Sequence, residues 1–160
     1  MNLMFNELAN DSRIWIYQSN REFTDDEVKD ISLELNEFQK SWESHGKSVL
    51  SGYQIKYNRF IVIAADSRID VSGCSIDSSV NFIQKLEARY KIELLEKMNV
   101  AYRSDSDIQV VSIKEFKSLV KDKSVTESTI VFNNMVSNIS EYDKYWEVSI
   151  KDSWHNQFLN

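Results

Sequence analysis

The sequence predicts an α+β fold: a ferredoxin-like βαββαβ core followed by a C-terminal extension of helices and short strands. Three observations predict it. A helix signature with a clear start follows one short strand-like run, two adjacent strand-like runs follow that helix, and a second helix then precedes further short strands. The chain has 160 residues, the length of one domain with room for a substantial core. The expected organisation is a flexible N-terminal segment over residues 1–12 and a single α+β domain over residues 13–160.

The first element is Arg13-Ile14-Trp15-Ile16-Tyr17, a strand ended by the polar Gln18-Ser19-Asn20. The first helix opens at Thr24, with Glu27 three residues on, the pattern of a capping box. Val28, Ile31, Leu35, Phe38 and Trp42 then recur at steps of three and four, one apolar stripe of an amphipathic helix, and Gly46 stands where a helix stop is expected. Tyr53, Ile55 and Tyr57 alternate with Gln54 and Lys56, as in a half-buried strand. The run Phe60 to Ala65 is apolar on both faces, so it belongs at the centre of a sheet, after a turn placed at Asn58-Arg59 or as the continuation of one bent strand. The second helix begins within Cys74 to Ser79 and buries Val80, Ile83, Leu86 and Tyr90. Val100 to Tyr102 and Ile108 to Val111 read as strands, and Ser112 with Glu115 opens a third helix through Phe116, Leu119 and Val120. Thr129 to Phe132 reads as a strand, Tyr142 to Trp146 as a helical turn, and Trp154, His155 and Phe158 form an aromatic tail.

Composition excludes several classes of function. Asp and Glu outnumber Lys and Arg by 25 to 19, a net charge of −6 that provides no global basic field for nucleic acid or anionic lipid. The longest apolar run is six residues, too short for membrane insertion. Cys74 is the single cysteine, so no intramolecular disulfide forms, and with no signal-peptide pattern at the start the expected location is cytoplasmic. No His or Cys pair has ligand spacing, so neither a metal nor another cofactor is expected.

Gly46-Lys47-Ser48 has the ending of a phosphate loop, but Ser41 stands where the motif requires its first glycine. The predicted order, helix before and strand after, is also the reverse of what a phosphate loop needs. The densest chemistry lies in Ser72-Gly73-Cys74-Ser75-Ile76-Asp77-Ser78-Ser79. At a helix N-terminus the dipole favours a thiolate, and open N–H groups suit a small anion. Cys74 is therefore the candidate reactive residue, and Gly73, Ser75, Asp77, Ser78 and Ser79 are the candidate ligand-binding set. The competing reading is that serine and aspartate simply cap the helix, with Cys74 a small buried apolar residue. His155 is the better of two histidines for a Cys–His pair with Cys74, while His45 reads as a cation at the end of the first helix. Trp15, Trp42 and Tyr57 fall on predicted core faces. Trp146 and Trp154 fall outside regular elements and suit an interaction or homodimer surface, the alternative to a small-molecule partner.

The stretches Ile16 to Arg21, Ile55 to Phe60, Ser72 to Ser79, Val131 to Asn134 and Ser153 to His155 together resemble a family of small bacterial proteins whose members often carry the label "ABC transporter ATPase". The resemblance runs from Arg13 over nearly the whole chain. Such a label implies an ATP-binding cassette, which this chain contradicts by its missing phosphate loop and by a length below the roughly 200 residues of such a domain. The resemblance brings no catalytic residue to any position. It places the Cys74 and His155 segments within recognisable motif blocks.

Overall fold

The structure, a computed structural model, describes residues 5–160. It is a mixed α+β protein whose described residues form three antiparallel sheets. The chain divides into two compact units. One runs to Leu95 and takes in Ser137–Ile139, and the other comprises Glu96–Val136 and Ser140–Asn160.

In the first unit, β1 (Arg13–Gln18) leads to α1 (Asp25–Ser41), a small hairpin of β2 (Glu43–Ser44) and β3 (Lys47–Ser48), then β4 (Ser51–Lys56), β5 (Phe60–Ala65) and α2 (Gly73–Tyr90). The sheet order is β1-β5-β4, with β5 antiparallel to both neighbours. Every residue of β5 is buried, as its two-sided apolar run requires of a central strand. Ile61, Ile63 and Ala65 join Ile31, Leu35 and Trp42 of the α1 region and Ile83 and Leu86 of α2 in one core. α1 starts where its capping box places it: the Thr24 side chain accepts from the Glu27 N–H at 3.1 Å, and Glu27 Oε1 accepts from the Thr24 N–H at 2.9 Å. Arg21 grips the same carboxylate with two bonds of 2.8 Å and donates to the Tyr90 carbonyl at 2.9 Å, tying the β1–α1 loop to the end of α2. The Arg21 guanidinium, with help from the Thr24 N–H, holds the Glu27 carboxyl down at about 2.

Four local expectations are corrected. α1 ends at Ser41, and Gly46, at φ +77°, turns the β2–β3 hairpin beside His45, at φ 52°. Neither residue ends the helix. The β4–β5 turn centres on Tyr57-Asn58, both near φ +52°, with the Lys56 carbonyl accepting from the Arg59 N–H at 3.0 Å, so it lies one residue before Asn58-Arg59. Tyr57 is 42% exposed at this turn and is not core. Finally, the predicted fourth strand of a βαββαβ sheet is not beside β1. Residues Ser137 and Asn138 reach that edge instead: the Ser137 carbonyl accepts from Ile14, and Asn138 bridges Arg13.

That predicted strand is β6 (Asn99–Ser104) of the second unit. It pairs with β7 (Asp107–Ser112) across a two-residue turn, a short closure that wins over a distant edge. α3 (Ile113–Lys121), β8 (Ile130–Phe132), α4 (Ile139–Tyr145, whose first residue belongs to the first unit) and β9 (Glu147–Ser149) follow, and the sheet order is β7-β6-β8-β9. The Ser112 side chain caps α3 by accepting from the Glu115 N–H at 3.1 Å. Val100, Phe116, Val125, Val131 and Ile150 make this unit's core. Of the segment expected to be flexible, residues 1–4 lie outside the described residues. In the rest, Leu8 and Ser12 are buried, and Ser67 donates to the Asp11 carboxylate at 2.7 Å.

Candidate functional site

α2 begins at Gly73, one residue before the expected range, because Ser72 is its N-cap. The Ser72 side chain accepts from the Ser75 N–H at 3.1 Å, replacing one helix bond that the first turn lacks. The hydroxyls around it are all engaged within the fold. Ser75 donates to the Glu43 carbonyl, Ser78 to the Cys74 carbonyl at 3.1 Å, and Ser79 to the Ile76 carbonyl at 2.6 Å. Ser44 donates to the Asp70 carbonyl and accepts from the Ser72 N–H, so the β2–β3 hairpin braces the start of α2. Trp42 adds a bond of 2.9 Å from its indole N–H to the Ser75 carbonyl.

Ser75 and Ser79 are buried, which takes them out of reach of a ligand. Gly73, Asp77 and Ser78 are exposed, and so is Cys74, which speaks against the competing reading of a small buried residue. Gly73 has an ordinary backbone and open space where a Cβ would stand, so glycine is not demanded there by geometry. What the turn offers to solvent is the Cys74 thiol and the first backbone N–H groups of the helix, which no carbonyl of the helix itself can reach.

His155 lies in the second unit and Cys74 in the first. The imidazole is 1% exposed. Its Nδ1 lies 2.6 Å from the buried Ser153 hydroxyl, and its ring stacks on Trp154 with 3.9 Å between centroids, edge-on to Phe116 at 6.0 Å. Burial pushes its pKa down to about 4, so it is a neutral core residue at physiological pH. Trp146 is also core: it is 3% exposed, packs on Phe132 and Tyr142, and donates to the Asn134 side chain at 2.9 Å. It is not the exposed anchor the sequence suggested.

A groove of about 920 Å³ between α1 and α2 escaped the sequence reading. Phe38 and Phe82 stack in it at 4.7 Å, beside Leu33, Trp42, Ser78 and Lys85. The helices are tied at one end by Glu34, which accepts from Arg89 at 2.7 Å and from the Tyr90 hydroxyl at 2.7 Å. Burial, then the Glu34 carboxylate, pushes that hydroxyl up to about 12. The available signal was Leu33 and Phe82, apolar residues off the buried stripes of their helices, with Leu33 64% exposed.

No group of three or more His, Cys, Asp and Glu side chains that could hold a metal occurs among the described residues. No helix among them is long and apolar enough to cross a membrane. No family model, curated protein or solved structure matches the chain.

Proposed function

We propose that this is a small cytoplasmic bacterial protein that acts through the first turn of α2, binding a small anion or reacting through the sulfur of Cys74. One observation carries the reading: Cys74 is exposed in a turn whose serine hydroxyls already have partners. The thiol and the open N–H groups are thus the chemistry left at this turn: the N–H groups suit a small anion, and the sulfur is the nucleophile. Gly73 adds backbone access, and Ser78 and Asp77 flank the site on the helix surface. Buried Ser75 and Ser79 serve as its supports. On the same footing, the β1-β5-β4 order supports reading the first unit as the split half of a ferredoxin-like arrangement.

The alternative, a partner-binding or homodimer module built on the C-terminal aromatics, has less to stand on. Trp146 is buried, and Trp154 is stacked on His155.

Alkylation of the folded chain tests the proposal. The rate at Cys74 is measured with and without inorganic phosphate, and again in His155→Asn, which asks whether the two residues are coupled. The proposal expects alkylation without unfolding and saturable protection by the anion. A thiol that reacts only in denaturant, or a rate that phosphate leaves unchanged together with no alkylation-sensitive activity, would overturn it.

A further inference from the structure

We infer that the free edge of β7 is a self-association surface, shaped to pair antiparallel with β7 of a second copy of this chain. β7 is an edge strand of the second unit's sheet. It runs six residues in unbroken register with β6, with no bulge. The turn between them has two residues, and such turns close on a hydrogen-bonded pair, here Ser104 and Asp107. The bonds to β6 therefore come from Asp107, Gln109 and Val111. The N–H and C=O groups of Ile108 and Val110 point the other way, where none of the described residues bonds them.

Exposed edges are normally shielded by short length, lysine or proline, a bulge or a cover, because an open ladder recruits another strand. The other edges of this protein have such protection. β9 is three residues long, and its Glu147 is paired with Arg103 at 2.8 Å. β2 and β3 have two residues each. β1 is met by Ser137 and Asn138. β4 ends in Lys56 and has the Phe5–Glu7 turn against it. β7 reads Asp-Ile-Gln-Val-Val-Ser, with no lysine, arginine or proline.

A second copy fits better than an unrelated strand because the edge is complementary to itself. Residues with outward groups must face one another, so an antiparallel pair centred on Val110 sets Val110 against Val110 of the second copy. The same register sets Ile108 against Ser112 and Gln109 against Val111. No like charges meet: Asp107, the strand's one charge, lies at the turn end and falls beyond the partner strand. The two-fold closes on itself, joining the two four-stranded sheets without continuing into a fibre. This inference stands apart from the Cys74 reading, which concerns the other unit, and either can fail alone.

The test is sedimentation of the full chain from micromolar to millimolar concentration, with amide hydrogen exchange at both extremes. The expected result is a mass that doubles with concentration, and exchange at Ile108 and Val110 at least about tenfold slower in the dimer. Val110→Pro removes an outward N–H and no bond to β6, so it should stay folded by circular dichroism and monomeric. Val110→Lys, which sets like charges opposite each other, gives the same expectation by a route that spares the backbone. A monomer mass throughout, a dimer whose Ile108 and Val110 amides exchange freely, or an undiminished dimer in either folded variant would overturn the inference.

Discussion

Lowering the pH should weaken the second unit through a single ring, that of His155. The imidazole is enclosed by Phe116, Trp154 and Phe158, with its Nδ1 taken by Ser153. Its pKa falls from 6.5 to about 4. The unfolded chain therefore takes up a proton that the native state refuses, and stability must fall as pH drops. The contribution is fully present above about pH 6.5 and is lost progressively down to about pH 4. The full loss is about 3 kcal/mol, at 1.36 kcal/mol per pKa unit, of which about 2 kcal/mol is gone by pH 5. Glu27, held at about 2 instead of 4.5, contributes in the same sense but only below about pH 4.5, so the two windows separate. Urea denaturation at a series of pH values, followed through the amide resonances of Phe116 and Val131, reads the second unit directly. His155→Asn keeps an acceptor near the Nδ1 position and removes the titration. It should be less stable at pH 7 but nearly flat between pH 6.5 and about 4.5. Parallel profiles for the two proteins, or an imidazole that titrates near 6.5 in the folded chain, would refute the reasoning.

Thr24→Ala should cost about 1 kcal/mol in chemical denaturation, since it removes the acceptor for the Glu27 N–H at the start of α1. An unchanged midpoint at constant slope would show that the cap carries no weight. Lys91→Gly should stabilise by up to about 1 kcal/mol, because Lys91 closes α2 in the left-handed region at φ 54°, where a Cβ is disfavoured. A loss of stability would mean its side chain does more than close the helix. Purified protein should show no ATP hydrolysis above a Lys47→Ala control, since Lys47 sits in a two-residue strand after a hairpin turn and no helix N-terminus follows it. Turnover dependent on Lys47 would contradict this.

The features legible in the sequence were those set by near neighbours. Thr24 and Glu27 announce the start of α1 because a cap is settled within four residues, and the apolar run of β5 announces a central strand because its composition leaves no solvent face. The β2–β3 hairpin was invisible, since strands of two residues carry no period, and its glycine passed for a helix stop. The sheet that β6 joins was also hidden. β6 pairs with β7 across a two-residue turn, and its own residues do not announce that partner. The Ser72–Ser79 stretch reads as the start of a helix because its caps are local, but which serines turn inward depends on contacts with Glu43 and Ser44, some thirty residues away. His155 looked available because an aromatic run has no period from which burial can be read. Ser153, two residues away, is what occupies its nitrogen.

The return of Ser137–Ile139 to the first unit has a consequence for how the chain can be made. The Ser137 carbonyl, the Asn138 bridge and the Ile139 N–H, which donates to the Ser12 carbonyl, all complete the surroundings of β1. During synthesis, a nascent chain that has just released Leu95 from the ribosome holds every strand of that sheet but not the residues that finish its edge. These emerge only after the whole of β6 through β8. The last contacts at the β1 edge can therefore form only after most of the second unit has been made, even if the rest of the sheet pairs earlier. A fragment cut at Leu95 would carry β1 as a bare edge, prone to recruit strands from its neighbours.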